Sequence, residues 1–139
     1  MSETPPVELR TPPDLAAGVP YAYATVTRGR GLLVFTAGAS PLDGSGATVA
    51  TGDVAAQAGS AMANLRRALE AAGAGLDDVV KTTVYVASAD RADLATAWRV
   101  VHARFGAHEP PSTLLGVSVL GYPDQLVEVE AIAALAEQK

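Results

Sequence analysis

No cysteine occurs in the 139 residues, which excludes disulfides and thiolate metal sites. Histidine is almost as scarce. His102 and His108 stand outside any familiar ligand spacing, so no metal is expected. Positive charge is also short, with 10 basic against 15 acidic residues and a net charge of −5. Nucleic-acid binding draws most of its affinity from concentrated Lys and Arg, so no nucleic-acid partner is expected. The basic pairs Arg28/Arg30 and Arg66/Arg67 read as solvated surface. Long apolar runs are missing too, and Met1–Pro6 carries neither a basic nor an apolar leader pattern. The expectation is a cytoplasmic protein with no membrane partner.

What is present is apolar content of 49%, enough for one compact domain with a core. Residues 1–14 are rich in proline and polar residues and read as an extended or poorly ordered segment. Within them, Val7-Glu8-Leu9-Arg10 suits a short edge strand. Tyr21–Thr27 and Leu32–Ala37 have strand composition and are joined by the turn Arg28-Gly29-Arg30-Gly31. Asp43-Gly44-Ser45-Gly46 reads as a hairpin turn, because no Gly-Lys-Ser/Thr follows to make a phosphate loop.

The helical periodicity is clear in two places. Val54, Ala58, Ala61, Met62, Leu65, Ala68, Leu69 and Ala72 form one stripe, with Thr51 or Asp53 as cap and Gly73 or Gly75 as terminator. Leu94, Ala97, Trp98, Val101 and Phe105 form the second, from about Asp90 or Arg91 to Phe105, with Gly106 beyond. Val79–Val86, Leu114–Leu120 and Leu126–Ala133 read as further strands. The order β-β-α-β-α-β-β gives one α+β domain over residues 1–139, a mixed sheet with two helices on one face.

Alternation in the last strand puts Val127, Val129, Ala131 and Ala133 under the helices, and Leu126, Glu128, Glu130 and Ile132 opposite. Leu32–Ala37 is apolar on both faces, so both need cover. No third helix is left to supply it. Self-association is the expected answer.

Several segments together resemble the RidA/YjgF family of reactive intermediate deaminases, once labelled endoribonuclease-like. Val127-Glu128-Val129-Glu130-Ala131-Ile132-Ala133 is similar to its closing strand, and Gly18-Val19-Pro20-Tyr21 to its Gly-Pro-Tyr. Leu33–Ala39 resembles its second strand end, Val54–Gly73 its first helix with Gln57 and Asn64, and Asp78–Val86 the strand that follows. Pro110-Pro111-Ser112-Thr113 occupies the place of the family's Pro-x-Arg-Ser. Ser112 therefore stands where an arginine holds the substrate carboxylate, as in the branches that lack it. Ala39, Trp98 and an extra residue near Gly121 depart as well.

The resemblance implies a chorismate-mutase-like or ferredoxin-like fold, assembled as a homotrimer around a β-barrel, with small-molecule pockets between subunits and no cofactor. It implies that Glu128 is the catalytic, water-positioning group. It further implies that Tyr21, Ala37, Gly38, Tyr85, Ser112, Thr113 and Leu114 bind the substrate, an imine or enamine metabolite. Serine has neither the charge nor the fork of arginine. Two readings stay open: a hydrolase of imines that holds its substrate differently, and a non-catalytic metabolite-binding or protein-interaction module. An endoribonuclease ranks last on charge. Glu128 reads either as the water-positioning group or as a structural carboxylate, Glu130 as structural, Trp98 as core, and Tyr21 as packing.

Overall fold

The structure is a computed structural model that describes residues 7–136. The part of the N-terminal expectation that falls on residues 1–6 lies outside the described residues. The rest of that segment is ordered by pairing. Strand β1, Glu8–Arg10, runs antiparallel to β2, Ala24–Val26. The strand expected over Tyr21–Thr27 is thus shorter, because only its last part meets β1.

The main sheet holds β3 (Leu32–Phe35), β4 (Val79–Val86), β5 (Ser112–Gly116) and β6 (Val127–Leu135) in the order β3-β6-β4-β5. Only β4 and β5 are parallel, and α2, Arg91–Phe105, makes the crossover between them. The earlier helix α1, Val54–Ala71, packs beside α2 and on β6. Asp53 is its cap, accepting the Ala56 amide at 3.0 Å. Asp90 caps α2 in the same way through Ala92. After α1 the chain turns at Gly73, whose φ of 82° is open to glycine without a Cβ penalty.

Both helices lie on one face of the sheet, and the core is between them. Ala58, Ala61, Met62, Leu65 and Leu69 of α1 meet Val79, Val84, Val127, Val129, Ala131 and Ala133. The alternation expected for β6 is observed. Each large side chain buried here contributes about 1.5–3 kcal/mol over leaving it in water. Truncating the fully buried Leu65 to alanine would cost about 2–5 kcal/mol. No helix among the described residues is long and apolar enough to cross a membrane.

Two expectations need correction. Strand β5 spans Ser112–Gly116, not Leu114–Leu120. It starts early because Ser112 pairs with Thr82, and it ends at Gly116, where the Ser88 carbonyl leaves no room for a Cβ. Arg30 is not solvated: its side chain is 7% exposed, ion-paired to Asp78 at 2.8 Å and bonded to the Ala134 carbonyl at 2.7 Å. The apolar open face of β3 is uncovered in the protomer, with Leu33 55% and Phe35 69% exposed.

Candidate functional site

Glu128 projects from β6 on the face away from the helices. Its position is set by pairing on both sides. The chain after β3 runs on along β6, with Thr36 N donating to the Ala131 carbonyl at 3.0 Å and Ala39 N to the Val129 carbonyl at 2.7 Å. That path lays Gly38 directly against the Glu128 carboxylate, so a Cβ at position 38 would overlap Oε2. Glycine is required here for space, not for backbone conformation.

The other carboxylate oxygen is tethered. Oε1 accepts from Gln125 Nε2 at 3.3 Å and from Ser40 Oγ at 3.4 Å. The same Gln125 amide donates to Ser40 Oγ at 2.9 Å and to the Val127 carbonyl at 3.1 Å. Gln125 and Ser40 are both buried. They form a satisfied polar cluster, which fixes geometry as long as every member keeps its partner.

Two polar residues of α1 hold the loops that carry this cluster. Gln57 is fully buried; its amide nitrogen donates to the Asp124 carbonyl at 2.9 Å and its oxygen accepts the Leu126 amide at 2.7 Å. Asn64 donates to the carbonyls of Ser40 and Leu42 at 2.8 and 3.0 Å. These roles for Ser40, Gln125, Gln57 and Asn64 were not foreseen. Gln57 carried a signal, because it falls on the stripe Gln57, Ala61, Leu65, Leu69 at spacings of four, where a polar residue is buried and must be paired.

Tyr85 lies opposite Glu128 in the β4–β6 ladder. Its hydroxyl donates to Glu130 Oε1 at 2.6 Å. The hydrogen bond to Glu130, then burial, then the negative charges of Glu130 and Glu128, hold the phenol above its usual ionisation range. Glu130 is thereby held by Tyr85. Beside it, Phe35, Thr36, Lys81, Thr83 and Ile132 line a hollow of about 190 Å³ on the open face.

The remaining predicted residues gather elsewhere. Tyr21, Ser112, Thr113 and Leu114 line one cleft, with Pro20 and Trp98. Ser112 Oγ turns back to the Pro110 carbonyl at 2.8 Å. Thr113 Oγ1 accepts from Lys81 Nζ at 2.7 Å. Trp98 packs against the core, as expected, and also presents a wall to this cleft.

The predicted residues thus fall into two groups: Glu128 with Gly38, Ala37 and Tyr85, and Tyr21 with Ser112, Thr113 and Leu114. Glu128 pairs with Tyr85, and Tyr85 with Leu115. Two strand spacings, about 10 Å, separate Glu128 from β5, and Ser112 lies about another 10 Å back along that strand. Glu128 and Ser112 are therefore far apart within one protomer, although Tyr85 itself borders β5. The first group can orient a water on a carboxylate, and the second offers an aromatic, hydroxyl-lined cleft.

Residues 12–135 match the family model described as Endoribonuclease L-PSP. The chain is 38% identical to a RutC family protein of Pyrococcus abyssi over 114 residues, covering 82% of this chain and 85% of the relative. It is 39% identical over 106 residues to the 2-iminobutanoate/2-iminopropanoate deaminase of Salmonella typhimurium, covering 74% and 80%. Among solved structures, a conserved Rid family protein of unknown function from Yersinia pestis superimposes with a TM-score of 0.86 at 30% identity. That match spans 93% of this chain and 98% of the other.

Proposed function

Because the chain belongs to the Endoribonuclease L-PSP family, the RidA/YjgF proteins, we propose that it hydrolyses an imine or enamine metabolite at composite sites between subunits of a homotrimer. The observation that carries this reading is the Glu128 carboxylate, seated on Gly38 and tethered through Oε1 by Gln125 and Ser40. One oxygen is held, which gives the other a defined direction in which to hold a water. Glu128 takes a proton from that water as its oxygen bonds to the imine carbon. That proton passes to nitrogen to give a carbinolamine; its hydroxyl proton then moves to nitrogen as the oxygen forms the carbonyl, the carbon–nitrogen bond breaks, and ammonia leaves.

Assembly supplies what one protomer lacks. The exposed Leu33 and Phe35 at the β3 side of the sheet favour coverage by a second copy. In a closed ring the Glu128 group of one subunit would meet the Tyr21–Ser112 cleft of the next. The deaminase of Salmonella typhimurium is named for 2-iminobutanoate and 2-iminopropanoate, both α-carboxylates. In this chain the residue read at the carboxylate holder's place is Ser112, which has neither charge nor fork, so such acids are expected to be poor substrates.

A second reading is favoured by one observation. The Ser112 hydroxyl is spent on the Pro110 carbonyl, so the cleft could serve binding alone. A nuclease reading has no support from a chain of net charge −5. The test is a neutral imine generated in situ by an amine oxidase, with its decay followed in the presence of the wild-type chain or Glu128→Gln. Light scattering should give a mass near three times 14.1 kDa. Acceleration by the wild type alone is expected. If neither protein accelerates the decay of any imine, the binding-module reading replaces hydrolysis.

A further inference from the structure

The cleft beside Trp98 has a volume of about 480 Å³ and is lined by Pro20, Tyr21, Trp98, Ser112, Thr113 and Leu114. None of these side chains carries a charge. Two are aromatic, one on the Tyr21 segment and one on α2. Both are fixed by the same residue. The Glu109 carbonyl accepts the amide of Ala22, next to Tyr21, at 2.9 Å. The Glu109 carboxylate meets His102 Nε2 at 2.6 Å, and the His102 ring stacks on Trp98 with centroids 5.9 Å apart and planes at 28°. Tyr21 is also braced edge-on by Tyr23 at 5.6 Å. The cleft is therefore preformed, and its aromatic width does not depend on a ligand to open it.

Its polar groups are equally particular. Ser112 Oγ is already a donor to Pro110. Thr113 Oγ1 accepts from the Lys81 ammonium, which leaves the Thr113 proton to donate toward a lone pair. A neutral carbonyl oxygen or imine nitrogen suits that donor. A carboxylate entering here would give up water with no cation among the lining residues to compensate. Lys81, whose ammonium donates to Thr113, lines the hollow on the open face beside Glu130 and is not among the residues that line this cleft.

We propose that this cleft is a subsite for an uncharged, ring-bearing group, so that the compound the chain takes is a neutral aromatic imine or carbonyl compound and not a 2-imino acid. Aromatic walls supply the contact area, and the hydroxyls fix the orientation of one polar atom. For turnover, the inference rests on the reading of Glu128 as the water-positioning group. For binding, it stands without it.

Trp98 is the one tryptophan of the chain, so its emission reports on this cleft. The probes are benzamide and benzoate, which share shape and ring and differ in charge. Titration of the full chain, by Trp98 emission and by calorimetry, should show benzamide binding at least tenfold more tightly than benzoate. Trp98→Leu and Tyr21→Ala should each weaken benzamide by calorimetry while the fold is retained. Benzoate binding as tightly as benzamide would overturn the proposal, as would benzamide leaving Trp98 emission unchanged. The two readings separate cleanly. Benzamide binding with no imine hydrolysis sinks the hydrolase reading and keeps the subsite; hydrolysis of 2-iminobutanoate with no benzamide binding does the reverse.

Discussion

The carboxylate of Glu128 rests on Gly38 so closely that even a methyl group at position 38 would overlap Oε2. The two residues lie far apart in the chain and are joined by the bridge between Ala39 and Val129. Glycine at this point is what allows the carboxylate to sit flat against the neighbouring backbone. The contact yields the most direct test of the candidate site.

Gly38→Ala should leave the core intact and push the Glu128 side chain aside. Overpacking of this kind costs about 1–3 kcal/mol, so the variant should fold with a modestly lower urea midpoint. Its effect on hydrolysis should be larger, because a 1 Å misplacement of a catalytic group costs about 100-fold. Parallel denaturation and imine-decay assays check both. Full activity in a folded Gly38→Ala protein would remove Glu128 from the mechanism.

Gln57→Leu tests the second layer. Leucine fits the buried volume, but it strands the Leu126 amide and the Asp124 carbonyl. An unpaired buried group costs about 1–3 kcal/mol, and the urea midpoint should fall accordingly. The loop that carries Gln125 should also loosen, and hydrogen exchange at the Leu126 amide should quicken. Unchanged exchange there would mean that the loop holds itself.

How far the sequence carried is visible in these same residues. Both helices, Asp53 as one of two candidate caps, and the inward face of β6 followed from local chemistry: period, cap residue and alternation. The strand ends did not, since β5 stops where Gly116 meets Ser88 and Leu94, a contact with no local trace. Arg30 looked like a surface residue because its partners, Asp78 and Ala134, lie 48 and 104 positions away. Glu128 was legible through a family pattern. Ser40 and Gln125, which hold it, are ordinary loop residues in the sequence and become a cluster only once β6 pairs with Ala39.

Tyr85 gives a pH test. Its hydroxyl is held by Glu130, and its ionisation is raised above the usual value of about 10. A raised folded value means that the protonated phenol stabilises the fold. That contribution is complete below the unfolded value and is lost as pH rises through the folded one. Ultraviolet titration should show one tyrosine ionising later than the others. In Glu130→Gln its transition should move down, because both the carboxylate acceptor and its charge are gone. No movement would mean that burial alone sets it.

The last test asks whether the arginine's place is merely vacant. Ser112→Arg gives up one hydrogen bond, to the Pro110 carbonyl, on a strand edge where the long side chain has room along the cleft. A charge-assisted contact to a substrate carboxylate is worth about 1.5–3 kcal/mol, or about 10- to 100-fold in rate if it acts in the transition state. Hydrolysis of 2-iminobutanoate should therefore rise, but by less than that, because Trp98 narrows the cleft on the side the guanidinium must share. The gain should disappear in Ser112→Arg/Glu128→Gln, where the acid is held but no group activates its water. The pair of variants separates clamp from catalyst. A folded Ser112→Arg protein with no gain would mean that the aromatic walls, and not the missing charge, decide what enters.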